Sequence, residues 1–229
     1  MTLGIMQPYL FPYIGYWQLI NAVDRYVIYD DVNFIKRGYI NRNSILVNNH
    51  AQLFTLELVG ASQNKLIHEI EVGENAIKIL KTIKQNYAKA PFYDDVFPVI
   101  EEILTQKEKN LARFVGFSLE VISRYLGIGT MFLYSSAIDK DPDVRGTEKI
   151  LFLCKKLGAT RYINAIGGQE LYDKEVFGCN GIELKFLETE LQEYRQFKND
   201  FVPYLSIIDV LMFNDRRSIG AMLNMYRFI

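Results

Sequence analysis

The first 31 residues limit the fold more than any other part of this chain. The stretch "LGIMQP" is apolar and ends at Pro8, a residue confined to strand ends and edges. "YIGYWQLINAVD" follows, with Ile14, Trp17, Leu19, Ile20 and Val23 at roughly helical spacing. "RYVIYDDV" is then β-branched and aromatic, the composition of a strand. Strand, loop, helix and strand within about 30 residues is the size of one βαβ crossover, so a parallel strand pair is expected here.

The alternation returns towards the C-terminus. Before that, "YINRNSILVNNHAQLFTLELV" reads as a hairpin that turns at "VNNH", where two asparagines tolerate positive φ. Three helices are expected next. "ENAIKILKTIKQNYAKAP" stops before Pro91, "YDDVFPVIEEILTQ" carries Pro98 in its first turn, and "KEKNLARFVGFSLEVISRYLGI" has Gly127 as its C-cap. "TMFLYSSAI" returns to strand, "DPDVRGTEKILFLCKKLGA" to helix, "TRYINAI" to strand, "QELYDKEVFGCNGI" to helix and "ELKFLET" to strand. Two helices, near 205–213 and 216–226, close the chain. The expectation is an α/β fold with a mainly parallel, Rossmann-like sheet, a helical middle segment and C-terminal helices. The 229 residues suit one domain, with a helical subdomain at about 75–127.

Composition removes several function classes. The net charge of −1 provides no basic surface for displacing counterions from phosphates, so no nucleic acid is expected as a partner. No apolar run reaches the length of a membrane span. The N-terminus lacks the basic and apolar regions of a secretory signal, and a reducing cytoplasm is the expected compartment. Two cysteines and two histidines supply neither a disulfide framework nor a metal site.

In folds of this kind ligands gather beyond the carboxyl ends of the strands, which points to four loops. "QPYLFPY" and the residues after it contain Gln7, Tyr9, Tyr13, Gly15 and Tyr16, stiffened by Pro8 and Pro12. Its rings serve either as core or as the wall of a pocket for a planar or sugar-like face. "DDVNFIKRGYINRN" sets Lys36, Arg37 and Arg42 beside Asn41. That set suits a phosphate or carboxylate, or else forms a solvated cluster neutralised by Asp30 and Asp31. "SSAIDKD" places Ser135 at a strand end, without a nucleophile elbow around it. "NAIGGQE" offers Asn164, Gly167 and Gly168 as an anion cradle at a helix N-terminus or as a tight turn. Cys154 reads as inert core, while Cys179 has no histidine near it in sequence. His50 and His68 read as turn and structural residues.

"MQPYLFPYIGYWQLINAVDRYVIYDDV" followed by "FIKRGYINRN" resembles the signature of the WbqC-like proteins of bacterial surface-polysaccharide loci. "KTIKQNYAKAPFY", "TEKILFLCKKLGATRYINAIGGQELYD" and "FVPYLSIIDVLMFN" match the same family, so the likeness covers nearly the whole chain. The resemblance implies N-acyl transfer, most naturally of an aminoacyl group such as glycyl. The acceptor would be the amine of a nucleotide-linked deoxyamino sugar in O-antigen and lipopolysaccharide biosynthesis. The implied donor is an acyl thioester on an acyl carrier protein or coenzyme A. An amine nucleophile must lose a proton during attack, which makes Asp30 or Asp31 the expected base. The oxyanion would be met by backbone N–H groups, by Gln7 or by a tyrosine hydroxyl, and Lys36, Arg37 and Arg42 would hold a diphosphate or a carrier's phosphate.

A more distant likeness in layout is to the nucleotidylyltransferase and pantothenate-synthetase group, whose H-x-G-H motif falls here on "YIGY", Tyr13 to Tyr16. Phenols replace both imidazoles and carry no positive charge at neutral pH. Two further functions therefore stand beside acyl transfer. One is ATP-dependent carboxylate activation with amide formation, and the other is non-catalytic binding of a sugar nucleotide or carrier.

Overall fold

The computed structural model describes residues 1–198 and 200–229. The N-terminal crossover forms as its periodicity demands: β1 (Thr2–Met6), α1 (Ile14–Asn21) and β2 (Arg25–Ile28). β1 and β2 are parallel, with Leu3 opposite Arg25 and Met6 opposite Ile28. The hairpin is β3 (Arg42–Val47) and β4 (His50–Thr55). Asn48 and Asn49 take φ of 48° and 69° at its turn, the left-handed pair that a two-residue hairpin loop requires. Two short strands, β5 (Leu58–Val59) and β6 (Glu71–Val72), pair antiparallel beside it.

The helical middle segment is α2 (Ala76–Tyr87), α3 (Tyr93–Leu104) and α4 (Leu111–Leu126). Gly127 ends α4 at φ 72°, a left-handed cap that glycine adopts without strain. Pro98 is the sixth residue of α3 and not in its first turn, so the Asp94 carbonyl loses its usual intrahelical donor. β7 (Met131–Tyr134), α5 (Gly146–Lys156), β8 (Arg161–Ala165), α6 (Lys174–Cys179) and β9 (Glu183–Thr189) continue the alternation. α7 (Ile207–Phe213), α8 (Arg216–Met222) and β10 (Tyr226–Phe228) complete the chain.

β10 corrects the expected helix at 216–226. The helix stops at Met222, and Tyr226 and Phe228 instead pair antiparallel with Thr189 and Leu187 of β9. Gln18 of α1 fixes this ending, because its buried amide donates to the carbonyls of Met222 and Met225 at 2.8 and 2.9 Å. A helix carried on to 226 would engage the Met222 carbonyl itself.

The main sheet has the order β10–β9–β8–β1–β2–β7, parallel except for β10. The chain travels sideways from β1 through β2 to β7, then returns and lays β8 and β9 on the other side of β1. This is a Rossmann-like layout, with its topological switch point above the carboxyl ends of β1 and β8. Alternate residues feed two cores. Leu3, Ile5 and Val27 pack with Ile150, Leu153 and Phe177 on one face. Tyr26 and Ile28 join the larger core on the other face with α1, the middle helices, α7 and α8. Among the described residues no helix is long and apolar enough to cross a membrane.

Candidate functional site

A cavity of about 410 Å³ opens at the switch point, floored in part by Met6 and Ala165, the last residues of β1 and β8. Five tyrosines line it: Tyr9, Tyr13, Tyr16, Tyr39 and Tyr204, with Gly15 and Asn43 between them. No charged side chain belongs to this lining. The rings contact one another in two groups. Tyr9 lies 5.5 Å from Tyr16 and 6.1 Å from Tyr39, centroid to centroid, and Tyr13 lies 6.5 Å from Tyr204.

The first loop is held rigid from three other segments. Leu10 N–H donates to the Tyr39 carbonyl at 3.1 Å. Asn43 of β3, buried, donates its amide to the carbonyls of Leu10 and Phe11 at 3.2 and 2.8 Å. Ser206, the N-cap of α7, donates to Phe11 carbonyl at 2.8 Å, and Ile207 N–H donates to Pro12 carbonyl at 3.0 Å. These bonds hold Phe11 at φ 44°, a conformation a large side chain adopts only when its surroundings enforce it. They also sort the rings of the opening run. Phe11 and Trp17 are fully buried, with the Trp17 indole N–H donating to Pro12 carbonyl at 3.0 Å. Tyr9 and Tyr13 stay half-buried as walls.

Gly15 serves the same packing. A Cβ there would collide with the Tyr13 phenol and with Thr189 at the end of β9, so only glycine lets Tyr13 fold over the start of α1. The Tyr16 hydroxyl donates to the Gln7 carbonyl at 2.7 Å. Burial pushes the phenols of Tyr9 and Tyr16 above their ordinary range, so both stay neutral at physiological pH. Gln7 follows Met6 directly, and its side-chain amide makes no hydrogen bond among the described residues.

The expected acidic residues lie elsewhere. Asp30 is buried and accepts from Ser136 twice, at its N–H (2.8 Å) and its hydroxyl (2.6 Å), tying the end of β2 to the end of β7. Asp31 sits between Lys140 (2.7 Å) and Lys149 (3.0 Å) and accepts from the Ser135 hydroxyl at 2.5 Å. Burial pushes its carboxyl up, but the bonds from Lys140, Ser135 and Lys149 outweigh this and hold it below the ordinary carboxylate range. A carboxylate so engaged is a weak base, and neither aspartate lines the tyrosine cavity. The expectation of a free general base at Asp30 or Asp31 does not fit this arrangement.

The cationic loop is also divided. Arg42 turns inward, donating to the Gly38 carbonyl at 3.0 Å and to the Arg37 carbonyl, and Asn41 donates to the Leu56 carbonyl at 2.8 Å. These two close the loop on itself and on the hairpin. Lys36 and Arg37 project into solvent on the loop that carries Tyr39. Gly167 and Gly168 form a single 3-10 turn, and α6 begins only at Lys174, where the Asp173 side chain already caps it. The glycines are therefore not at a helix N-terminus, and Gly168 instead gives room to the Asn164 side chain. Sequence reading missed Tyr39, Asn43 and Tyr204 in the first cavity and Lys140, Arg145 and Lys149 near Asp31. The aromatic-polar strings "RGYINRN" and "FVPYLS" were signals for the first group, whereas nothing local marks the second.

Strand order and connectivity define an α/β domain of Rossmann-like layout, with a neutral, ring-lined cavity at its switch point. The chain belongs to the WbqC-like protein family, whose model matches residues 7–220. It is 28% identical over 213 residues to uncharacterized protein Rv1507c of Mycobacterium tuberculosis, an alignment covering 91% of each chain. No solved structure matches the chain. Among the described residues no group of three metal-ligating side chains comes together.

Proposed function

We propose that this protein transfers an N-acyl group, most naturally an aminoacyl group such as glycyl, to the amine of a nucleotide-linked deoxyamino sugar in surface-polysaccharide (O-antigen) synthesis. The observation that carries the reading is the tyrosine-walled cavity at the switch point, joined to membership of the WbqC-like family. Phenol rings stack on sugar and base faces, and their hydroxyls meet ring hydroxyls without adding charge. The cavity falls within the range of about 300–1,000 Å³ common for small-molecule sites.

The chemistry follows from an acyl thioester donor. The sugar nitrogen attacks the carbonyl carbon, the C–N bond forms and the C–S bond breaks. The proton lost from nitrogen passes to the departing sulfur, so no carboxylate base within the cavity is required. The Gln7 amide follows β1 directly and makes no hydrogen bond among the described residues, which supports it as the donor to the oxyanion. Lys36 and Arg37, on the loop that carries Tyr39, are available to a diphosphate outside the cavity mouth.

Incubation of the purified protein with a nucleotide-linked amino sugar and an acyl thioester is expected to yield an acylated sugar by mass spectrometry. Failure across a broad donor and acceptor panel, with the sugar nucleotide still bound, would leave the second reading: binding without turnover. The neutral lining favours that alternative over ATP-dependent activation, because Tyr13 and Tyr16 offer no cation to a triphosphate. Amino-acid-dependent exchange of label between pyrophosphate and ATP would reverse that order.

A further inference from the structure

A second cavity, about 270 Å³, lies at the same end of the sheet beyond β2 and β7, and its chemistry is the opposite of the first. Tyr29, Asp31, Lys140, Asp141, Arg145 and Lys149 line it, together with Gly146 at the first turn of α5. The Lys140 and Lys149 side chains are only 8% and 3% exposed. Both pair with one carboxylate, that of Asp31. Asp30 does not balance them, since its oxygens face Ser136 and it makes no ion pair among the described residues.

Two buried ammoniums on one carboxylate leave a unit of positive charge uncompensated. Burial of unbalanced charge is expensive. Arg145 adds a second positive charge at the rim, and Asp141, exposed, returns one. α5 contributes in the same direction. Its N-cap is Arg145, whose side chain makes no capping bond, so the first-turn N–H groups stay uncapped beside the cavity. Lys149 is further held over the Tyr29 ring, 4.9 Å from its centroid.

We infer that this cavity is a phosphoryl-binding site, taking a phosphate or diphosphate group between Lys140, Arg145, Lys149 and the first turn of α5. Its volume lies below the range common for whole small-molecule ligands, which suits the charged end of a ligand and not its full length. Lys140 now donates to the Ser135 and Ile138 carbonyls, and Arg145 to the Pro142 and Val144 carbonyls. An anion would recruit both from these backbone contacts. Asp31 is the positioning residue: its carboxylate holds the two ammoniums together. The site stands independently of the acyl-transfer reading.

The test is calorimetry and thermal shift of the full chain with inorganic pyrophosphate, against sodium chloride at matched ionic strength. Pyrophosphate is expected to bind and to raise the melting temperature above the salt control. Affinity is expected to fall about tenfold or more in Lys140→Gln and in Arg145→Gln, as each removes a charge-assisted donor. It is expected to hold in Lys107→Gln, an exposed lysine on the α3–α4 loop. Arg145 is exposed, so its variant tests the site even where Lys140→Gln fails to fold. Stabilisation no greater than that by salt, or equal loss in Lys107→Gln, overturns the site. Competition names the source of the group: displacement of pyrophosphate by a nucleoside diphosphate assigns a nucleotide, and displacement by coenzyme A assigns a pantetheine-type donor. Displacement by neither overturns a role in binding a phosphorylated substrate. No acyl donor or acceptor enters the binding measurement, so its outcome is separate from that of the acyl-transfer assay.

Discussion

The two cavities stand at the same end of one sheet and share almost nothing else. The first, above β1 and β8, is walled by neutral rings and built on a loop clamped by backbone-directed hydrogen bonds. The second, beyond β2 and β7, is built on two buried lysines and one aspartate. Rigidity in the first comes from hydrogen bonds to carbonyls, each contributing modestly. Order in the second comes from charges that need one another. The comparison teaches that of the two aspartates expected as the base, Asp31 lies in the charged cluster and Asp30 is bound to Ser136, both away from the tyrosine cavity. The tyrosine cavity offers ring faces and hydroxyls in place of charge.

The sharpest way to break the comparison is Asp31→Ala. Removing it leaves Lys140 and Lys149 buried without their carboxylate, and a loss of about 3–5 kcal/mol in unfolding free energy is expected by urea titration. A loss under 1 kcal/mol (about the value of an exposed pair) would mean the cluster is effectively solvated. Asn43→Ala probes the other side. It withdraws the donor from the Leu10 and Phe11 carbonyls, and about 1–3 kcal/mol is expected, together with weaker sugar-nucleotide binding as the first loop loosens. Should Asn43→Ala prove more damaging than Asp31→Ala, the contrast drawn above would be inverted.

Titration sharpens the difference further. The Asp31 carboxyl is depressed in the folded state, so in acid the unfolded chain binds more protons at this site than the native chain. Its contribution is therefore full above the ordinary carboxylate value of about 4 and fades as pH falls through the lower folded value. The stability gap between the wild type and Asp31→Asn should be widest near neutrality and close in acid; a gap independent of pH would refute the ion-pair account. The smallest stability effect is expected at Tyr39, which is exposed at the cavity rim. Tyr39→Ala should change folding stability by no more than about 0.5 kcal/mol while weakening binding of a nucleotide-linked sugar. Unaltered binding would remove Tyr39 from the site.

Much of the frame was legible in the sequence because it is set by short-range pattern. The period change across the first 31 residues specifies the crossover, Asn48 and Asn49 specify the hairpin turn, and Gly127 specifies the end of α4. The first cavity was half legible. Tyr9 and Tyr13 fall on the loop after β1, and Gly15 and Tyr16 on the first turn of α1, where the ligand rule for parallel sheets places them. Tyr39, Asn43 and Tyr204 reach the same cavity from the cationic loop, the hairpin and the segment before α7. The β10 strand was missed because its pairing depends on Gln18, whose amide holds the preceding turn from α1, 204 and 207 residues away.

What the sequence determined by itself is the class of fold and which loops stand at the carboxyl end of the sheet, since both follow from local periodicity and from prolines and glycines acting on neighbouring φ angles. What only the tertiary structure decided is which rings face the cavity and which charges meet. Asp31 and Lys149 lie 118 residues apart and are brought together because β7 pairs beside β2 and α5 then starts above them. Charges at that separation leave no periodic trace in the chain, for their coupling depends on distance in space and on burial alone.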